Sequence, residues 1–215
     1  MTKPVDIGTK DADLLDLDFD LFDNRETKET THKIKARAMR HQAKMSALNA
    51  MKKETLAEIL TRLPDDHEYI HLVSNGNYDY YTFIPVILSH ITHIDELYGS
   101  TWTMNRTNCE DLFTRFDQGE IDTINIITGL YFKRRETAVY ATLLEGLNKR
   151  HQRFISCENH AKVILIRSGE KYYVIEGSAN WTANPRIEQN IITQSEDLYK
   201  FHQNWMNEIF KSGGE

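Results

Sequence analysis

The sequence predicts an α/β layer fold, a mixed sheet flanked by helices, carrying an N-terminal helical extension. From residue 64 onward, short runs rich in β-branched residues alternate with longer helical patterns, the texture of strands interleaved with helices. Residues 26–63 contain neither Gly nor Pro and are rich in Ala, Lys, Met, Leu and Glu, which predicts one long helix or two, ending before Pro64. Apolar residues make up 40% of the 215-residue chain and aromatics 10%, enough to build one domain with a sizeable core.

Taken in order, residues 1–25 form an acidic segment with Asp6, Asp11, Asp13, Asp16, Asp18, Asp20 and Asp23. Within it Leu15, Leu17, Phe19 and Leu21 alternate with aspartates, a strand period. It reads as an edge strand or an unstructured tail, with docking on a basic surface as the alternative. The extension at 26–63 carries Lys33, Lys35, Arg37, Arg40 and Lys44, and a partly helical apolar stripe that includes Ile34, Ala38, Met45, Leu48, Leu56 and Leu60. Its basic face reads first as solvated; phosphate contact and packing on a sister subunit stay open.

The domain at 64–215 opens with a strand at Tyr69 to Ser74, a turn at Asn75 to Asn77 and a helix from about Tyr81 to His93. A strand over Leu97 to Met104, a helix around Glu110 to Phe116, a strand at Ile121 to Gly129 and a helix at Glu136 to Arg150 follow. Further strands are expected at Phe154 to Ser156, Ala161 to Ile166 and Tyr172 to Ile175, the last two joined at Ser168 and Gly169, before a closing helix from Ser195 to Phe210.

Composition excludes several classes. The net charge of −6 does not suit a protein that coats nucleic acid by bulk electrostatics, although the basic stretch leaves room for a local cationic surface. Neither a membrane-spanning run nor a secretory leader is visible, so a cytoplasmic protein is expected. Cys109 and Cys157 are too few for a disulfide framework or a cysteine-rich zinc site and read as reduced thiols. No metal site is expected: His90 and His93 have helical spacing but no evident partners.

The chemistry concentrates late in the chain. In His160-Ala161-Lys162 followed by Val163-Ile164-Leu165-Ile166, strand geometry puts the imidazole and the ammonium on one face beside a buried strand, a compact place for a phosphate. Gly177-Ser178-Ala179-Asn180-Trp181-Thr182 adds a tight strand exit and an uncharged amide, and Glu188 a carboxylate. Trp181 reads as a packing residue before a base-stacking one. Tyr131, Lys133 and Arg134 follow a strand end, where α/β folds place ligand loops; they read as substrate contacts or as a solvated helix entrance.

These motifs resemble the phospholipase D superfamily, whose signature is His-x-Lys, four residues, an Asp, and then Gly-Ser-x-Asn. The chain departs from the pattern at Arg167, which stands where the family has its Asp, and in the 14 residues between Lys162 and Gly177. The resemblance implies a metal-free, cofactor-free phosphodiesterase in which His160 attacks phosphorus, Lys162 and Asn180 hold phosphate oxygens, Glu188 binds the imidazole Nδ1 and Ser178 gives a supporting hydrogen bond. Family members with two signatures build the site within one chain. With one signature and no internal repeat, this chain is expected to form a homodimer whose twofold axis passes through the active centre. An endonuclease acting on DNA ahead of RNA is the leading expectation. A nucleic-acid-binding module with a degenerate site is the alternative from another class, and a lipid phosphodiesterase stands behind both.

Overall fold

In the computed structural model, which describes residues 52–182 and 185–213, the run Val163 to Ile166 is buried on both sides and sets the layering. Ile164 and Ile166 face one core, and Val163 and Leu165 face the other, as the two-residue period of a strand requires. Around this strand the described residues form one seven-stranded sheet. Its strands are β1 (Tyr69–Ser74), β2 (Glu96–Thr101), β3 (Ile124–Gly129), β4 (Arg153–Cys157), β5 (Val163–Ser168), β6 (Lys171–Gly177) and β7 (Glu188–Gln194), in the order β1-β7-β6-β5-β2-β3-β4. Strands β2, β3 and β4 are parallel, and the remaining pairings are antiparallel.

The helices are α1 (residues 52–59), α2 (Phe83–Ile91), α3 (Arg106–Asp117), α4 (Leu130–Arg135), α5 (Thr137–Lys149) and α6 (Glu196–Ser212), with a 3-10 turn at Tyr80–Thr82. The larger core gathers Leu56, Leu60, Phe83, Ile84, Ile87, Leu112, Phe132, Leu143 and Leu147 against the sheet. On the opposite face Tyr199 and Met206 of α6 pack on Tyr98, Ile127, Val163, Leu165 and Val174. Ser195 caps α6 by accepting from Leu198 N, and Asn105 caps α3 by accepting from Asn108 N. Helix α1 stops before Pro64, as Pro geometry demands. The acidic segment at 1–25 and the basic residues Lys33 to Lys44 lie outside the described residues.

Several expectations change. Strand β5 begins at Val163, two residues later than the pattern predicts, because Asn159 Oδ1 accepts from Ala161 N and turns the chain before the ladder starts. Strand β7 is an addition that the mixed polar and apolar order of Glu188 to Gln194 concealed; its register with β1 pairs Val73 with Gln189 and Ser74 with Glu188. Helix α4 is a second addition, directly after β3. His93 has partners after all: its Nε2 lies 3.1 Å from Asp122 Oδ2 and 3.5 Å from Asp95 Oδ1. His93 and Asp95 share the α2–β2 loop and Asp122 comes from the α3–β3 loop, at the end of the sheet where β2 and β3 begin, and sequence spacing does not report the approach of Asp122.

Arg167 is accommodated by charge complementarity. It lies near the end of β5, opposite Glu96, and its Nη1 is 3.0 Å from Asp95 Oδ2. The same carboxylate oxygen accepts from Gly169 N at 2.7 Å, fixing the β5–β6 turn. A cation is therefore the residue that this corner needs. Arg167→Asp, which recreates the superfamily pattern, sets three carboxylates together and is expected to cost about 1–2 kcal/mol. Thermal denaturation checks this: the midpoint should fall by several degrees, and a midpoint unchanged from the parent chain would exclude the pairing as a stabilising contact.

Candidate active site

The carboxyl ends of β2, β3 and β4, the start of β5, the end of β6 and the start of β7 all lie at one end of the sheet. That end holds the predicted site, and the last residue of β2 with its successor forms the anchor. Asn180 Oδ1 accepts from Trp102 N at 3.2 Å and lies 3.5 Å from Thr101 Oγ1. Asn159 Nδ2 donates to Thr101 O at 3.1 Å and to Ser100 Oγ at 3.0 Å, while its Oδ1 accepts from Ala161 N at 3.1 Å. The segments bearing Asn180 and His160 are thus both tied to Thr101 and its immediate neighbours at the end of β2, although they lie on different strand connections. With Oδ1 committed, Asn180 presents its Nδ2 as a donor of the kind a phosphate oxygen accepts.

His160 and Lys162 meet directly, in line with the same-face expectation, although both precede the strand. Lys162 Nζ lies 2.9 Å from His160 Nδ1 and donates to His160 O at 2.6 Å. Nζ lies 3.4 Å from His160 Nε2 as well, so the ammonium faces both ring nitrogens and does not by itself select a tautomer. Lys162 is 8% exposed, and burial pushes its ammonium below the ordinary lysine range while the Glu188 carboxylate pulls the other way. Its backbone is held as well: Tyr80 OH, fully buried, donates to Ile175 O at 2.6 Å and to Lys162 O at 3.1 Å. Gly177 is required beside it, since a Cβ there would lie 2.2 Å from Asn190 Oδ1 and 2.7 Å from the Tyr80 ring.

Glu188 is placed otherwise than expected within one chain. It accepts from Ser178 Oγ, which in turn accepts from Gln189 N at 3.1 Å, and among the described residues no hydrogen bond joins it to His160. Trp181 is a packing residue, fully buried in the larger core. Of the three residues after β3, Tyr131 comes to the site: its ring stacks on Trp102 at 4.2 Å, and Trp102 lies 5.7 Å from the His160 ring. Lys133 instead reaches over Tyr140 at 5.9 Å, Arg134 is exposed, and it is Arg135 that lies over Tyr131, at 5.4 Å. Asn159, Trp102 and Tyr80 were not marked as site residues by the sequence. Only Asn159, next to His160 in the motif, carried a signal that could have found it.

No protein-family model and no curated protein matches the sequence. Solved structures do. Nuc from Salmonella typhimurium, a phospholipase D family member, is 16% identical with a TM-score of 0.50, over 69% of this chain and 97% of Nuc. Polyphosphate kinase from Porphyromonas gingivalis is 14% identical with a TM-score of 0.52, over 74% of this chain but only 29% of the kinase. TrmBL2, an archaeal chromatin protein that binds DNA, is 12% identical with a TM-score of 0.50, over 84% of this chain and 67% of TrmBL2. At such identities the likeness speaks to architecture. The seven-stranded mixed sheet flanked by helices is a phospholipase D-like α/β fold.

Proposed function

We propose that the chain is a metal-independent phosphodiesterase that cleaves nucleic acid, DNA ahead of RNA, in a site composed from two copies of the chain. The observation that supports this most is the convergence of His160, Lys162 and Asn180 on the end of β2: an imidazole in contact with a desolvated ammonium, and an amide fixed to the same anchor. A buried cation and oriented donors stabilise the charge that develops on a phosphate in the transition state. In the proposed reaction Nε2 of one His160 attacks phosphorus and the phosphorus–oxygen bond to the leaving group breaks. The partner's His160 protonates the departing oxygen. The same imidazole then takes a proton from water, which attacks the phosphohistidine and releases the second product.

This chemistry needs a proton on Nδ1 of the attacking imidazole, and the Lys162 ammonium, within reach of both ring nitrogens, offers no acceptor for it. Glu188 supplies that acceptor, and because Ser178 holds Glu188 within its own chain, we assign the contact across the twofold axis. Ser178 orients that carboxylate. Two exposed apolar side chains at the same end of the sheet support that assignment: Val73 and Ile187, 67% and 79% exposed, flank the β1–β7 pairing beside Glu188. Burying two such side chains per copy around the site supports a self-complementary interface.

A second reading has its own support. TrmBL2 combines a similar fold with DNA binding, so a site that grips phosphate without turnover is the alternative. Plasmid DNA and RNA incubated with the protein in EDTA separate the two. Cleavage is expected to persist in chelator and to fall at least about a thousandfold in His160→Ala. Salt-sensitive binding with no cleavage of either polymer favours the binding module, and hydrolysis of phospholipid vesicles alone favours a lipid phosphodiesterase. Light scattering checks the composite site: Val73→Glu combined with Ile187→Glu should shift the protein from dimer to monomer and remove cleavage in parallel. A monomer with full turnover would overturn the two-copy site.

A further inference from the structure

The wall of the site beside His160 is aromatic and then cationic. Trp102 and Tyr131 stack with their rings 4.2 Å apart at 23°, and both remain partly exposed. Trp102 also meets the His160 ring at 5.7 Å with a tilt of 52°, so the indole borders the reacting imidazole directly. The backbone is shaped for this indole. Gly129 lies beneath it, where a Cβ would come 2.4 Å from the Trp102 Cδ1, and Gly129 N donates to Trp102 O at 3.2 Å. Beyond Tyr131, helix α4 ends in Lys133, Arg134 and Arg135, all exposed, with Arg135 over the Tyr131 ring.

From this wall we infer that the substrate is nucleic acid with an unpaired base next to the scissile phosphate, and that Trp102, supported by Tyr131, is the platform on which that base stacks. The inference rests on the phosphodiesterase reading of the same site. In duplex DNA both faces of each base are covered by neighbouring pairs, so an indole reaches a base face only where the strand is single or locally opened. A lipid headgroup does not fit the wall as well. An aromatic pair does attract quaternary ammonium, but the three cations of α4 repel it while attracting the phosphates that flank a base.

The test compares a single-stranded oligothymidylate, an abasic strand of equal length and an oligothymidylate–oligoadenylate duplex. Fluorescence anisotropy gives Kd, and cleavage gives kcat/KM. The wild-type chain should prefer oligothymidylate over the abasic strand by at least about tenfold in both measures, the scale of one base stacked on an aromatic ring. It should also prefer the single strand over the duplex. Trp102→Ala should bring the oligothymidylate-to-abasic ratio close to one, Trp102→Phe should keep part of it, and Gly129→Ala, which displaces the indole while leaving it in the chain, should lower it as Trp102→Ala does. Equal Kd for the two single strands, a duplex preference, or an undiminished ratio in a folded Trp102→Ala protein overturns the inference. The binding comparison does not depend on turnover. Base-dependent binding without any cleavage would therefore overturn the phosphodiesterase reading while supporting the stacking platform.

Discussion

Two residues at the exit of β2, the strand that joins the parallel and antiparallel parts of the sheet, hold this site together, and they do so largely through main-chain groups. Thr101 O is an acceptor and Trp102 N a donor at the exit of β2, and each is taken by an asparagine from a different connection: Asn159, which precedes β5, and Asn180, which follows β6. A buried main-chain group left without a partner costs on the order of a hydrogen bond, so both asparagines are held in place by the needs of the sheet as well as by their own. Trp181 strengthens the arrangement. Its N donates to Thr103 O and to Thr101 Oγ1, both at 3.2 Å, and its fully buried ring fixes the chain that carries Asn180. The positions of His160 and Asn180 thus follow from how β2 ends.

Burial then does electrostatic work on what this frame holds. Lys162 stands just before a strand covered on both faces, so its ammonium has little water around it, and burial lowers its affinity for the proton. Tyr80 secures the Lys162 carbonyl from beneath and Gly177 gives Tyr80 room, which links the two halves of the motif through a side chain 82 positions away from Lys162. Arg167, at the opposite end of β5, belongs to a separate electrostatic unit with Asp95 and Glu96. The departure from the superfamily pattern is absorbed there, at the end of β5 away from His160 and Lys162.

Which parts of this were legible in the sequence follows from the range of the forces involved. β1, β2, β3, α3, α5 and α6 announce themselves because local periodicity and the residues flanking each element decide them. Helix α4 and strand β7 do not: α4 has six residues, too few to show a period, and β7 alternates weakly because one of its neighbours is an edge strand. That His160 and Lys162 share a face was readable from the two-residue strand period, and the candidate residues His160, Lys162, Gly177 and Asn180 were marked by the family resemblance of their motifs. Their supports were not legible, since Tyr80, Trp102 and Thr101 reach them only through the tertiary fold. His93 makes the same point, its partner Asp122 arriving from the loop before a different strand.

The charge balance inside one copy explains why the proposed reaction belongs to a pair. A lone chain offers an imidazole whose two nitrogens both lie near the Lys162 ammonium, a group that donates and cannot accept. The nucleophilic role asks for an acceptor at Nδ1. Glu188, the carboxylate that interacts with Lys162, is turned toward Ser178 within its own chain. In the proposed pair a twofold axis through the centre would supply that acceptor: two copies bring two imidazoles, and a carboxylate from the partner copy would select which of them attacks. Symmetry would then provide the residues in duplicate, and a phosphodiester, which is not symmetric, would break the equivalence between them.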